Sequence, residues 1–123
     1  MRQVQCRILA SGLLTSGHCL IEIGCTPFGQ LVRAGQFVMV RCGDTLNEPL
    51  RHPLFFSRGG RQAAQLLFTT GKPWQRSLAT LLPEETIDAL GPLGQPFVLC
   101  PGATRLLVLV LPARLEDVLE VLA

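Results

Sequence analysis

The chain has 123 residues, a length that suits one domain with a single core. Hydrophobic residues make up 48% and charged residues 16%, which excludes a disordered chain. Eleven Lys and Arg residues against nine Asp and Glu residues leave a net charge of +2, which excludes the dense basic face that nucleic-acid binding requires.

The first segments of the chain have the alternation of strands. Twelve glycines and nine prolines divide the sequence into short pieces, which favours an all-β body. Apolar residues recur at every second position from Val4 to Ala10 and again from Cys19 to Ile23, which predicts two half-buried strands. Residues 11–17 are expected to form the hairpin that joins them.

The middle of the chain predicts a core strand followed by a second hairpin. Residues 36–42 (QFVMVRC) are apolar on both faces of a strand, and residues 43–51 have the Asp, Asn and Pro of an irregular loop. Residues 53–58 and 62–69 flank a Gly59-Gly60 turn, so they are expected to pair as two further strands.

After the second hairpin the period of the sequence changes. Leu78, Leu81 and Leu82 have helical spacing, which predicts one short helix near residues 75–82 with an apolar face that plugs an opening of the barrel. Residues 86–90 and 96–100 then predict two short strands around the turn GPLGQ. The strand count therefore reaches six or seven.

The last twenty residues differ from the rest. Residues 105–111 (RLLVLVL) predict a strand that is buried on both faces, and the residues after it place Leu115, Val118, Leu119 and Leu122 on one helical face. We therefore divide the chain into a barrel at 1–102 and a β-α unit at 103–123.

The cysteines and the ends of the sequence carry no targeting or metal signal. Five cysteines are scattered without a C-x-x-C pair, and there are only two histidines, so we expect free, mostly buried thiols and no metal. No run of 18 apolar residues or apolar leader is present, which predicts a cytoplasmic protein without a membrane span.

Three stretches carry a resemblance to a known family. They are AGQFVMVRCGD (34–44), LRHPLFFS (50–57) and GKPWQRSLATLLPEETIDALGPLGQPF (71–97). Together they resemble the FAD-binding barrel of the ferredoxin-reductase superfamily, most closely that of the electron-transfer subunits of dihydroorotate dehydrogenase. The resemblance implies a six-stranded antiparallel Greek-key barrel with one capping helix, which holds FAD and precedes a nicotinamide-binding domain.

The sequence departs from the family at the first cofactor motif. In the family motif Arg-Pro-x-Ser, the Arg binds a flavin phosphate and the Ser bonds to the isoalloxazine ring. These two positions fall on His52 and Phe55. The Arg is thus replaced by a histidine, which is a weaker phosphate donor, and the Ser by a phenylalanine, which cannot form hydrogen bonds. Arg51 can substitute for the Arg only if the strand register shifts by one residue.

The second phosphate element departs as well. The Gly-Thr of the family falls on Pro73-Trp74, although Lys72, Arg76 and Ser77 stand at the start of the helix, where an anion is favoured. The resemblance thus implies a set of candidate flavin-binding residues: Arg51, His52, Pro53, Leu54, Phe55, Lys72, Trp74, Arg76 and Ser77. Residues 111–114 lack the glycines of a nucleotide loop, so 103–123 is interpreted as a remnant of the nucleotide-binding domain, and the family's iron-sulfur cysteine cluster is absent.

Two functions remain open on this basis. The chain is either an electron-transfer module that binds FAD or FMN and works with a separate partner chain, or a barrel that has lost its flavin and serves as a non-catalytic binding or assembly subunit. One helix covers only one face of the predicted strand at 106–111, so we expect a homodimer or a partner subunit through residues 105–123. The alternative is that this segment folds back and caps its own barrel.

Overall fold

The structure is a computed structural model that describes residues 1–14, 17–41 and 50–109. These residues contain six strands, a single turn of 3-10 helix at Thr26–Phe28 and one short α-helix. The strands are β1 Arg2–Leu13, β2 His18–Gly24, β3 Phe37–Arg41, β4 His52–Arg58, β5 Ala63–Thr69 and β6 Thr86–Leu93, and α1 is Pro73–Ala79.

The six strands close into one antiparallel barrel. Their order around the barrel is β1-β2-β5-β4-β3-β6, and every pair of neighbours is antiparallel. Strands β3, β4 and β5 follow one another, and β6 returns to lie beside β3, which is a Greek-key connection. The expectation of a six-stranded antiparallel barrel with a single short helix is confirmed.

The core fills the interior of the barrel with the alternate residues of each strand. Phe56 of β4 packs edge-on against Phe28, with ring centroids 6.5 Å apart. Leu78 of α1 is fully buried in the same core, so the helix covers one opening of the barrel, as expected from its apolar spacing. The other fully buried strand residues are Cys6, Ile8, Cys19, Ile21, Ile23, Val38, Val40, Leu66 and Ala89.

The helix begins and ends earlier in the sequence than its spacing predicted. It ends at Ala79, where the Thr80 hydroxyl donates to the Ser77 carbonyl at 2.7 Å. Leu82 is 65% exposed because it lies beyond this end and precedes Pro83, a position that disfavours helical backbone. The prediction that Leu82 belongs to the apolar face was therefore wrong, whereas Leu81 is half-buried against the core.

The predicted break between two strands near Gly91 was also wrong. Strand β6 runs unbroken to Leu93, because Gly91 pairs with Arg2 of β1 and Leu93 pairs with Phe37 of β3. The predicted strand at 96–100 does not form. One backbone hydrogen bond anchors that segment, from the Phe97 N–H to the Ala34 carbonyl at 3.0 Å.

The C-terminal segment also differs from its prediction in the part that is described. Residues 105–109 lie outside any strand, because no neighbouring strand pairs with them, and Leu106, Leu107 and Leu109 are 58%, 83% and 88% exposed. The predicted helical face at 115–122, Cys42 and nearly all of the predicted loop at 43–51 lie outside the described residues. None of the described helices is long and apolar enough to cross a membrane.

Candidate functional site

The candidate site residues lie on two elements that meet beside one opening of the barrel. His52 begins β4 and Trp74 lies in the first turn of α1, and their rings stack with centroids 4.2 Å apart and planes inclined by 3°. Trp74 also packs against the hydrophobic core. The fold therefore brings together two segments that are 22 positions apart in the sequence.

The start of α1 carries two exposed cations. Lys72 and Arg76 point into solvent, and Arg76 Nη1 donates to the Gly71 carbonyl at 2.8 Å. The backbone N–H of Lys72 donates to Oε1 of Gln75 at 2.9 Å, so this donor already has a partner. Ser77 is exposed one residue further along the helix. The positive charge at the start of α1 therefore comes mainly from the Lys72 and Arg76 side chains, and less from unpaired backbone N–H groups of the helix.

The alternation along β4 divides the remaining candidates between the two faces of the strand. Leu54 is buried and faces the core, so it does not contribute to an outer surface. Pro53 and Phe55 face outward, opposite Met39 and Phe37 of β3. The rings of Phe55 and Phe37 are 5.5 Å apart and tilted. The outer surface of β3 and β4 is therefore apolar, whereas His52, two residues before Leu54, belongs to the other face of β4.

Arg51 has an ion-pair partner that the sequence did not reveal. Its Nη2 lies 2.9 Å from Oδ1 of Asp88 on β6, and its Nη1 donates to the Met39 carbonyl at 3.2 Å. Both side chains of the pair are mostly buried, which favours a persistent contact. The Arg51 side chain is therefore held by β3 and β6. The shift of strand register that would turn Arg51 toward the phosphate position is not observed. The signal that sequence reasoning passed over was Asp88, an acidic residue within a largely apolar strand.

The described residues contain no group of three His, Cys, Asp or Glu side chains that could hold a metal ion. Three of the four described cysteines, Cys6, Cys19 and Cys25, are buried, and Cys100 is exposed. Burial raises the pKa of the Cys6 thiol to about 12, with a smaller contribution from Cys25 nearby. Burial also raises the pKa values of Cys19 and Cys25. These thiols therefore stay protonated near neutral pH.

The exposed thiol is expected to be the reactive one. Because the thiolate is the nucleophile, a buried thiol with a raised pKa reacts slowly with an aromatic disulfide reagent at pH 8. In a Cys42→Ser variant we expect Cys100 to react at once and the three buried thiols of the described core to react only after unfolding in guanidinium. A Cys100→Ser change should abolish the rapid phase. Rapid reaction of any second thiol in the folded chain would contradict the burial described above.

A comparison with protein-family models finds no match. A curated relative is the electron transfer subunit of dihydroorotate dehydrogenase B (NAD(+)) from Desulforamulus reducens, which is 30% identical over 100 residues. The match covers 79% of this chain but 38% of the relative, so the chain spans less than half of that protein.

Two solved structures share the barrel. One belongs to an NADH-dependent reduced ferredoxin-NADP oxidoreductase studied for flavin-based electron bifurcation, with a TM-score of 0.66, 21% identity, and coverage of 76% of this chain and 34% of that one. The other is the cytochrome b5 reductase domain of Ulva prolifera nitrate reductase, with a TM-score of 0.59, 15% identity, and coverage of 76% and 40%. These likenesses show the fold, and with the curated relative they support the resemblance to an FAD-binding barrel domain.

Proposed function

We propose that this chain, which resembles the FAD-binding barrel of the ferredoxin-reductase superfamily, is an electron-transfer module that binds FAD or FMN and works with a separate partner chain. The observation that carries the proposal is the meeting of β4 and α1 at the His52 and Trp74 rings. The two elements that the resemblance assigns to the cofactor are thereby adjacent. A bound flavin supplies reversible uptake of electrons, and the chain supplies binding and orientation.

The exposed side chains of β4 and α1 suit a flat apolar ring with an anionic tail. Pro53 and Phe55 form the outward surface of β4, against which the ring would rest. Lys72 and Arg76 are exposed cations on the neighbouring element, where they would hold phosphate oxygens by charge-assisted hydrogen bonds, with Ser77 as a further donor. The ring and the phosphates would thus be held by different elements of the fold.

The test is reconstitution with flavin. The purified chain is mixed with excess FAD or FMN and desalted, and its visible absorption spectrum is compared with that before addition. We expect retained flavin absorption, and we expect a Lys72→Gln/Arg76→Gln variant to retain less FAD and FMN because charged hydrogen bonds are worth ~1.5 to 3 kcal/mol each. Arg7→Gln, a change at an exposed residue of β1, is the control. A spectrum without flavin bands after desalting would contradict the proposal.

A second function has an observation of its own. His52 stacks on Trp74, and Phe55 contacts Phe37. Arg51 forms an ion pair with Asp88. Side chains of this barrel therefore contact one another at the positions that the resemblance assigns to the cofactor. This arrangement favours a barrel that no longer binds flavin and acts as a non-catalytic binding or assembly subunit. The same reconstitution separates the two functions, because this second one requires that neither flavin is retained.

A partner chain is the other half of the proposal. Leu106, Leu107 and Leu109 expose most of their apolar surface, and such surface marks contacts with other proteins. The curated relative is itself named an electron transfer subunit. We therefore propose contact through residues 105–123, either with a second copy or with a different subunit, and we propose that 103–123 is a β-α unit that follows the barrel at 1–102.

A further inference from the structure

One end of the barrel, which we call the basic end, gathers the start of β1 with residues 24–36, 58–63 and 91–97. Val32 and Gly60 exchange two backbone hydrogen bonds of 3.0 Å, and the Phe97 N–H donates to the Ala34 carbonyl. Arg2 pairs with Gly91, and its guanidinium packs on Gly29 so closely that an added methyl group there would lie 2.9 Å from Nη1. These contacts bring the segments of the basic end together.

All charged side chains of the basic end are positively charged. Its segments contain no Asp or Glu, and they carry four exposed arginines, Arg2, Arg33, Arg58 and Arg61. The ion pairs among residues 1–14, 17–41 and 50–109 are Arg7 with Glu84 and Arg51 with Asp88, so neither involves any of these four arginines. Four cations without a carboxylate partner in the described chain produce a positive potential over this surface.

An apolar cleft lies within this basic surface. It has a volume of about 480 Å³, and Arg33 lies at its wall. Phe97 and Leu99 also line it and are 45% and 57% exposed, which is high for large apolar side chains. An apolar centre with aromatic and arginine side chains around it is the composition of a protein interface.

The chain itself contains a segment with the opposite charge and matching apolar residues. Residues 113–123 (ARLEDVLEVLA) carry three acidic residues against one arginine, together with leucines and valines at helical spacing. We propose that the basic end of one copy receives residues 113–123 of a second copy, and that the exchange is reciprocal. In a two-fold dimer of this kind, the basic end of each copy would face the acidic segment of the other copy.

The exposure of the preceding residues favours a second copy over the same barrel. Leu107 and Leu109 are 83% and 88% exposed, so the chain at this point does not pack along its own barrel surface. Reciprocal exchange would place the two copies of this apolar segment near each other and cover them. The inference extends the partner half of the proposed function, and it does not depend on flavin.

The test is charge reversal on the full chain, with the molar mass measured by light scattering at low salt. The face variant is Arg33→Glu/Arg58→Glu/Arg61→Glu, and the segment variant is Glu116→Lys/Asp117→Lys/Glu120→Lys. We expect twice the chain mass for the unmodified chain and the single-chain mass for each variant alone. An equimolar mixture of the two variants should recover the doubled mass, because each reversed face then meets a reversed segment.

A control reverses two exposed cations at the start of α1, Lys72→Glu/Arg76→Glu, and should remain dimeric. Circular dichroism verifies that every variant is folded, and recovery in the mixture cannot come from unfolded chains. A single-chain mass for the unmodified protein would overturn the proposal in favour of capping by its own segment. A doubled mass that both variants keep would overturn it in favour of another interface. Flavin retention by the monomeric variants, measured on the same samples, reports separately on the proposed function.

Discussion

Replacing Gly59 with alanine is expected to destabilise the barrel by about 3 kcal/mol, because the added methyl group would force two backbone segments apart. An ideal Cβ on Gly59 would lie 2.1 Å from the Val32 carbonyl oxygen and 2.8 Å from its carbon. Neither atom can rotate away as a side chain can. Separation would break the two 3.0 Å hydrogen bonds between Val32 and Gly60 and expose Val32, which is now buried.

Thermal unfolding followed by circular dichroism measures this effect. A loss of about 3 kcal/mol corresponds to a fall of roughly 10 °C in Tm for a domain of this size. Gly71→Ala is the matched control, since nothing lies within 4 Å of its added methyl group, and its Tm should change little. Equal Tm values for the two variants would contradict the close approach of the backbone at Gly59.

Restoring the family side chains at the start of β4 is expected to tighten flavin binding. The double change His52→Arg with Phe55→Ser adds a charged phosphate donor and a hydrogen-bonding group beside the ring. Hydrogen bonds to charged groups are worth ~1.5 to 3 kcal/mol, so the gain in affinity for FAD should exceed about tenfold even after the loss of the contact between Phe55 and Phe37.

Fluorescence titration of the two single variants separates the contributions. His52→Arg should improve binding of FAD but not of riboflavin, because riboflavin has no phosphate. Phe55→Ser should improve both, because both share the isoalloxazine ring. Unchanged affinity for both ligands in the double variant would show that this surface is not a flavin site.

Local patterns were sufficient to predict most of the barrel. Alternation located β1 and β2, because a half-buried strand has a period of two. A run that is apolar on both faces located β3, and the Gly59-Gly60 turn located β4 and β5. The break near Gly91 was predicted wrongly since a glycine and a proline usually end a strand, whereas here Gly91 pairs with β1 and Leu93 pairs with β3. Pairing over 56 to 89 residues, as between Phe37 and Leu93 or Arg2 and Gly91, is not visible in local sequence.

The candidate site was predicted by resemblance and not by pattern. Resemblance assigned the cofactor to β4 and α1, but the stack of His52 on Trp74 depends on the distance between two elements that closure of the barrel determines. The contact of Arg51 with Asp88 depends likewise on the register of β3 with β6 and of β3 with β4. Such contacts depend on the three-dimensional fold. The sequence therefore identified the candidate residues but not the side chains that they contact.

Trp74 is the single tryptophan of the chain and stands within the candidate site, so its emission reports directly on the central claim that flavin binds along the outward surface of β4 and the start of α1. A flavin at this place would lie close to the indole and quench it. We expect titration with FAD or FMN to quench the Trp74 emission to a plateau at one flavin per chain, beyond the loss that free tryptophan shows in the same solutions. Emission that falls only as much as that of free tryptophan, without a plateau, would contradict it.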